Sequence, residues 1–140
     1  MKHKILIIIT IICLCFVLSI PDIAFSEDIK WHKSYEKGLL SAKKQGKNIF
    51  VYFNADWCFY CKKMESTTLK DPLVVKYLND NFISIFINEK KHKKIISLYN
   101  VKRFPVSWFL KKDSSKIGSI PGYLNGEKFL PVLKHVKENS

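Results

Sequence analysis

Arginine is almost missing from this chain. Arg103 stands alone, although Lys and Arg together number 24 against 12 Asp and Glu, for a formal net charge of +12. Proteins that read nucleic acid lean on arginine for forked contacts to phosphate and base edges. Here the basic side chains are lysines scattered over nearly every expected helix, so the balance points to a basic, solvated surface and no nucleic-acid partner. Internal repeats, low-complexity tracts and a long Gly/Ser linker are also lacking, so one compact domain is expected. Cysteine is sparse. The four present are Cys13, Cys15, Cys58 and Cys61, and no second C-x-x-C pair accompanies the last two. A structural zinc site wants four ligands; His32, His92 and His135 fall in separate expected elements without ligand spacing, so no metal is expected.

The longest apolar run is Ile5–Ile20, behind the basic start MKHK. Its 16 residues would rise roughly 24 Å as a helix, short of the roughly 30 Å hydrocarbon core of a bilayer. Ala24 and Ser26 supply small residues at −3 and −1 of a cleavage site. This is the grammar of a secretory signal peptide over residues 1–26, with an uncleaved N-terminal membrane anchor as the alternative. Cleavage leaves residues 27–140 as the mature domain, exported to the periplasm or beyond. Cys13 and Cys15 leave with the signal, and Cys58 and Cys61 arrive where disulfides persist.

Along the mature chain, Ser34–Lys47 reads as an amphipathic helix that starts at a capping serine and stops at Gly46. Asn48–Ala55 and Phe82–Asn88 are near-continuous apolar, β-prone runs, the pattern of strands covered on both faces. Between them, Cys58–Lys70 has no Gly or Pro to interrupt a helix. Asp71-Pro72 ends it and opens a short helix over PLVVKYLND. Lys90–Asn100 reads as another short helix. PVSWFLKKD and SKIGSI read as a strand hairpin around Asp113-Ser114-Ser115. The last helix lies over NGEKFLPVLKHVKEN, where Pro131 calls for a late start or a kink. Ile29–His32 is a candidate edge strand. The helical crossover makes the first two long strands parallel and the terminal pair antiparallel, giving an α/β fold with a mixed central sheet and helices on both faces.

The stretch ADWCFYCKKME, Ala55 to Glu65, carries the chemistry. A lone C-x-x-C is compatible with a reactive dithiol, half a metal site or a structural staple. A staple across two intervening residues restricts the unfolded chain little, and ligands for a metal are lacking. At a helix start, Cys58 and Cys61 lie one turn apart on one side. They can therefore alternate between disulfide and dithiol. Free N–H groups at the helix N-terminus favour a thiolate at Cys58, as do Lys62 and Lys63. Cys61, one turn inside, is expected to be the more covered, resolving thiol. Pro105, from residues alone, reads as an ordinary strand-start proline.

ADWCFYCKKME between NIFVYFN and a helix, with RFPVSWFL and IPGYLNGEKFLPVLKHV downstream, resembles the thioredoxin superfamily. More narrowly, it is similar to exported thioredoxin-related proteins and to the periplasmic thioredoxin-like domain of the DsbD family. The likeness runs from about Trp31 to Val136. It implies a thioredoxin fold and thiol:disulfide oxidoreductase activity with protein thiols and disulfides as partners. It further implies Cys58 as attacking and Cys61 as resolving thiol, a redox-active Cys58–Cys61 disulfide, and Phe104-Pro105 as the cis-proline element facing the pair. No dissociable cofactor is implied; a membrane electron donor would be needed for a reductant, and a monomer is expected. Trp57, Tyr60, Phe104 and Pro105 are the substrate-binding candidates.

Two departures from the family pattern stand out. The buried aspartate six residues before the first cysteine is replaced by Tyr52. Glu65, at i+4 from Cys61, is the candidate to take that cysteine's proton, or else an exposed residue pairing with lysine. Phe59-Tyr60 between the cysteines also lacks the thiolate-stabilising histidine of strong oxidants, which favours a reductant. The alternative function is a binding module of the same fold, such as a copper metallochaperone or assembly factor, acting without turnover.

Overall fold

A computed structural model describes residues 27–140; the expected signal peptide, residues 1–26, lies outside the described residues. The elements are β1 (Trp31–His32), α1 (Tyr35–Gln45), β2 (Asn48–Asn54), α2 (Phe59–Ser66), a 3-10 turn (Thr68–Lys70), α3 (Pro72–Asn81), β3 (Phe82–Asn88), α4 (Lys93–Leu98), β4 (Val106–Leu110), β5 (Lys116–Pro121) and α5 (Gly126–Glu138). The sheet order is β1-β3-β2-β4-β5. β3 runs parallel to β2 and to β1, and β4 is antiparallel to β2 and β5. This is the mixed α/β sheet of a thioredoxin fold.

Strand alternation builds two cores from one apolar run, because successive side chains leave a strand on opposite faces. Phe50 and Tyr52 of β2 meet Met64, Val74, Leu78, Phe129 and Leu133 from α2, α3 and α5. Ile49, Val51 and Phe53 meet Tyr35 and Ala42 of α1 and half-buried Ile95 and Ile96 of α4. With both faces covered, no polar position interrupts the run until Asn54.

Local chemistry sets the ends. Ser34 accepts from the Lys37 N–H and starts α1, while Gly46 at φ 66° closes it, a conformation that costs glycine little. Asp71 accepts from the N–H groups of Leu73 and Val74, and Pro72 occupies the first turn of α3, where its missing N–H is harmless.

The strand expected over PVSWFLKKD shortens to Val106–Leu110 and the edge strand expected over Ile29–His32 to Trp31–His32, and three helices depart from the sequence expectation. The helix expected over Cys58–Lys70 stops at Ser66 and resumes as a 3-10 turn, because the Ser66 and Thr67 hydroxyls and the Thr67 N–H all converge on the Lys63 carbonyl. The helix expected over Lys90–Asn100 contracts to α4, since the Asn88 carbonyl captures the N–H groups of Lys91 and His92 in a turn. α5 starts early, capped by Asn125, and runs through exposed Pro131. Pro131 lies near enough to the N-terminus that its missing N–H leaves only the Glu127 carbonyl, itself exposed, without a helical donor.

Candidate functional site

β2 ends at Asn54, and the Cys58 N–H returns to the Ala55 carbonyl at 3.0 Å, turning the chain out of the sheet. Cys58 then caps α2 in extended backbone geometry, and its Sγ accepts from the Cys61 N–H at 3.1 Å. Sulfur thus sits where a capping oxygen usually does, on an otherwise orphaned helix donor. Cys58 and Cys61 form a disulfide.

Both cysteines are well covered: Cys58 is 4% exposed and Cys61 0%. The expected contrast between an open and a closed thiol therefore amounts, in this oxidised form, to a thin edge of Cys58. Exposure lies instead in the flanking aromatics, Trp57 at 71%, Phe59 at 72% and Tyr60 at 56%. Trp57 stands edge-on to half-buried Phe104, with ring centroids 5.9 Å apart. Phe104 packs against Ala55, Cys58 and Cys61. Tyr60 faces Tyr123 across the other side, where the Lys63 ammonium lies 4.8 Å from the Tyr123 ring.

The Phe104–Pro105 bond is cis. The Pro105 carbonyl accepts from the Gly122 N–H at 2.8 Å, whereas neither the N–H nor the carbonyl of Phe104 is hydrogen-bonded among the described residues. Trp57, Phe104, Pro105 and the cysteine pair are thus brought together, with Tyr60 on the opposite flank.

Behind the disulfide lies a polar network. Glu65 is half-buried on α2, and its Oε1 accepts from the Asn54 side-chain amide at 2.9 Å. The amide of Asn88 donates to Asn54 Oδ1 at 3.0 Å and to Asp56 Oδ1 at 2.7 Å. Glu65 therefore faces inward, and among the described residues no lysine pairs with it. Fully buried Tyr52 donates its hydroxyl to the Cys61 carbonyl at 3.3 Å. Burial first, and the Glu65 carboxylate second, push its phenol well above the ordinary tyrosine range. Tyr52 is consequently a neutral hydrogen-bond donor where the family pattern has a carboxylate.

Sequence reasoning missed Asn54, Asn88, Asp56 and Tyr123. A signal for the first two was present: both long apolar strands end in asparagine, and Asn54 and Asn88 are register partners across β2 and β3. Nothing marked Tyr123, which reaches the site only through the turn after β5. Among the described residues no group of three or more His, Cys, Asp or Glu gathers as a metal site, and no helix is long and apolar enough to cross a membrane.

Known proteins are similar to this chain in sequence and in fold. The thiol:disulfide interchange protein DsbD of Pseudomonas fluorescens is 28% identical over 115 residues, covering 79% of this chain, which spans only 20% of the length of that protein. The solution structure of a thioredoxin from Thermus thermophilus superposes with a TM-score of 0.71 at 25% identity, over 79% of this chain and 88% of that one. The oxidised C-terminal domain of DsbD from Neisseria meningitidis shares the fold, with a TM-score of 0.63 at 23% identity over 71% and 90% of the two chains. The family model for the thioredoxin-like domain matches residues 35–137, and the protein belongs to that family.

Proposed function

We propose that this protein is an exported thiol:disulfide oxidoreductase that works on protein partners, more as a reductant than as a strong oxidant. The observation that carries the reading is the Cys58–Cys61 disulfide on the first turn of α2, with Cys58 Sγ on a helix donor and the unpaired backbone of Phe104 beside it. In the dithiol form, the Cys58 thiolate attacks one sulfur of a partner disulfide. The partner's S–S bond breaks, its other sulfur leaves as a thiolate and takes up a proton, and a mixed disulfide forms. Cys61 then gives up its proton and attacks Cys58 Sγ, releasing the partner's second thiolate. The partner gains two electrons and two protons, and the protein ends as the disulfide.

Glu65 is the proposed acceptor of the Cys61 proton, held by Asn54 at the back of the pair. Trp57, Tyr60 and Phe104 offer apolar contact to an extended segment, and the N–H and C=O of Phe104 offer it a strand-like pair of hydrogen bonds. Renewed turnover requires a dithiol donor. The DsbD resemblance and the expected export of residues 27–140 favour one at the membrane.

The test is a titration of residues 27–140 in glutathione buffers, combined with alkylation of the dithiol at mildly acidic pH. A reversible two-electron couple is expected, with Cys58 modified before Cys61. The absence of a reversible couple, with copper co-purifying on the pair, overturns the reading in favour of a binding module.

A further inference from the structure

The two acids that flank the cysteines in sequence, Asp56 and Glu65, each bond to a buried asparagine, Asn88 and Asn54. The neighbouring cations behave differently. Lys102 and Arg103 directly precede Phe104, both are exposed, and neither pairs with a carboxylate among the described residues. They form one wall of a groove of about 240 Å³ that leads away from the Phe104–Pro105 loop along the β4–β5 side, with Tyr99, Trp108 and Pro121 among its lining and no acid there. Beyond it the Lys116 ammonium stands 4.8 Å from the Tyr99 ring and 5.1 Å from that of Trp108. The chain's single arginine thus stands one residue from the unpaired backbone of Phe104.

We propose that Arg103, supported by Lys102, is the specificity determinant of the site and selects partner segments that carry carboxylates next to their reactive cysteine. The inference rests on the exchange reading above and names the class of substrate for it. An extended segment paired with Phe104 advances roughly 3.3 Å per residue, so a side chain one or two positions from its cysteine comes level with residue 103. A guanidinium offers a planar fork that matches a carboxylate with two parallel hydrogen bonds, which a lysine ammonium cannot reproduce. A lysine-flanked segment would instead meet two unpaired cations with no acid in the groove to offset them.

The test uses three peptides that each contain one internal disulfide and differ only in the residues flanking a cysteine: glutamates, glutamines or lysines. Reduced protein converts each to the dithiol and becomes the disulfide itself, and the rate is followed by separating oxidised and reduced peptide. At low ionic strength the glutamate peptide is expected to react about tenfold faster than the glutamine peptide, and the lysine peptide slowest. Arg103→Glu is expected to reverse the order of the glutamate and lysine peptides. Arg103→Lys should keep part of the glutamate preference, and Lys102→Glu should weaken it, which serves as a second variant should the first fold poorly. A preference that persists in Arg103→Glu would come from the net charge of the whole chain and would overturn the assignment, as would equal rates for the three peptides. The glutamine peptide isolates the underlying exchange: if wild type reduces it no faster than Cys58→Ser, the exchange reading fails, and this inference with it.

Discussion

At residue 65 the surroundings, and not the helical position, decide where the side chain points. On spacing alone, Glu65 is one turn beyond Cys61 and free to face water; in the fold its carboxylate is held by Asn54 and lies beside the Tyr52 phenol. Tyr52 stays a neutral phenol and the Asp56 carboxylate is held by the Asn88 amide, so Glu65, one helical turn beyond Cys61, is the proposed proton acceptor. Glu65→Gln keeps the shape and the acceptor oxygen while removing the basic site. It is expected to slow release of a trapped partner by about a hundredfold, the low end of general-base effects, while capture by Cys58 is barely altered. Rapid quenching with separation of the mixed disulfide checks this. If the adduct decays at the wild-type rate across the pH profile, Glu65 is a structural residue.

At the scale of elements, the site depends on how closely helices meet the sheet. α1 crosses β3 at Gly38, where an added Cβ would stand 2.4 Å from Ile85 Cδ1 and 2.5 Å from Cγ1. Ile85 is fully buried and cannot yield into solvent. Gly38→Ala gains helix propensity of roughly 0.5–1 kcal/mol but overpacks this contact at a cost of about 1–3 kcal/mol. A net loss of stability is expected, visible as a lower urea midpoint. Ile85→Val in the same background makes room and is expected to recover part of it. Because α1 lies on the face opposite α2, the reactivity of the folded Cys58–Cys61 pair is expected to be unaffected. An unchanged midpoint in Gly38→Ala would mean that α1 and β3 can separate without cost.

For the molecule as a whole, the buried phenols are expected to set an alkaline limit to stability. Tyr52 is raised by burial and then by Glu65; Tyr99 is raised by burial and then by the Tyr35 hydroxyl, 2.6 Å away. An unfolded tyrosine releases its proton near pH 10, whereas these two keep theirs to higher pH. The stability they contribute is fully present below about pH 10 and is lost as pH rises beyond it. Urea midpoints should therefore fall on that side of the range, with phenolate absorbance rising only on unfolding. The Tyr52→Phe, Tyr99→Phe double variant should fall less steeply, and an equally steep fall would assign the transition to the lysines. Much of this molecule is legible in the sequence because periodicity and helix caps are local: the two apolar strands, the Ser34 and Gly46 limits of α1, the Asp71-Pro72 start and the cysteine pair at a strand-to-helix turn all follow from neighbouring residues. The limits of α2 and α4 depend on several donors converging on one carbonyl, and the start of α5 on the Asn125 cap, which spacing does not reveal. The backing of the site arises between residues distant in sequence, since Asn54 meets Asn88 only when β2 and β3 align, and Tyr60 meets Tyr123 only when β5 closes the sheet. The amino-acid order thus determined which segments become strands and helices and where the sulfurs begin a helix. Tertiary structure decided which polar groups stand behind those sulfurs and which nearby cations have no carboxylate partner among the described residues, because strand pairing and the docking of α2 bring such groups together only once the sheet has formed.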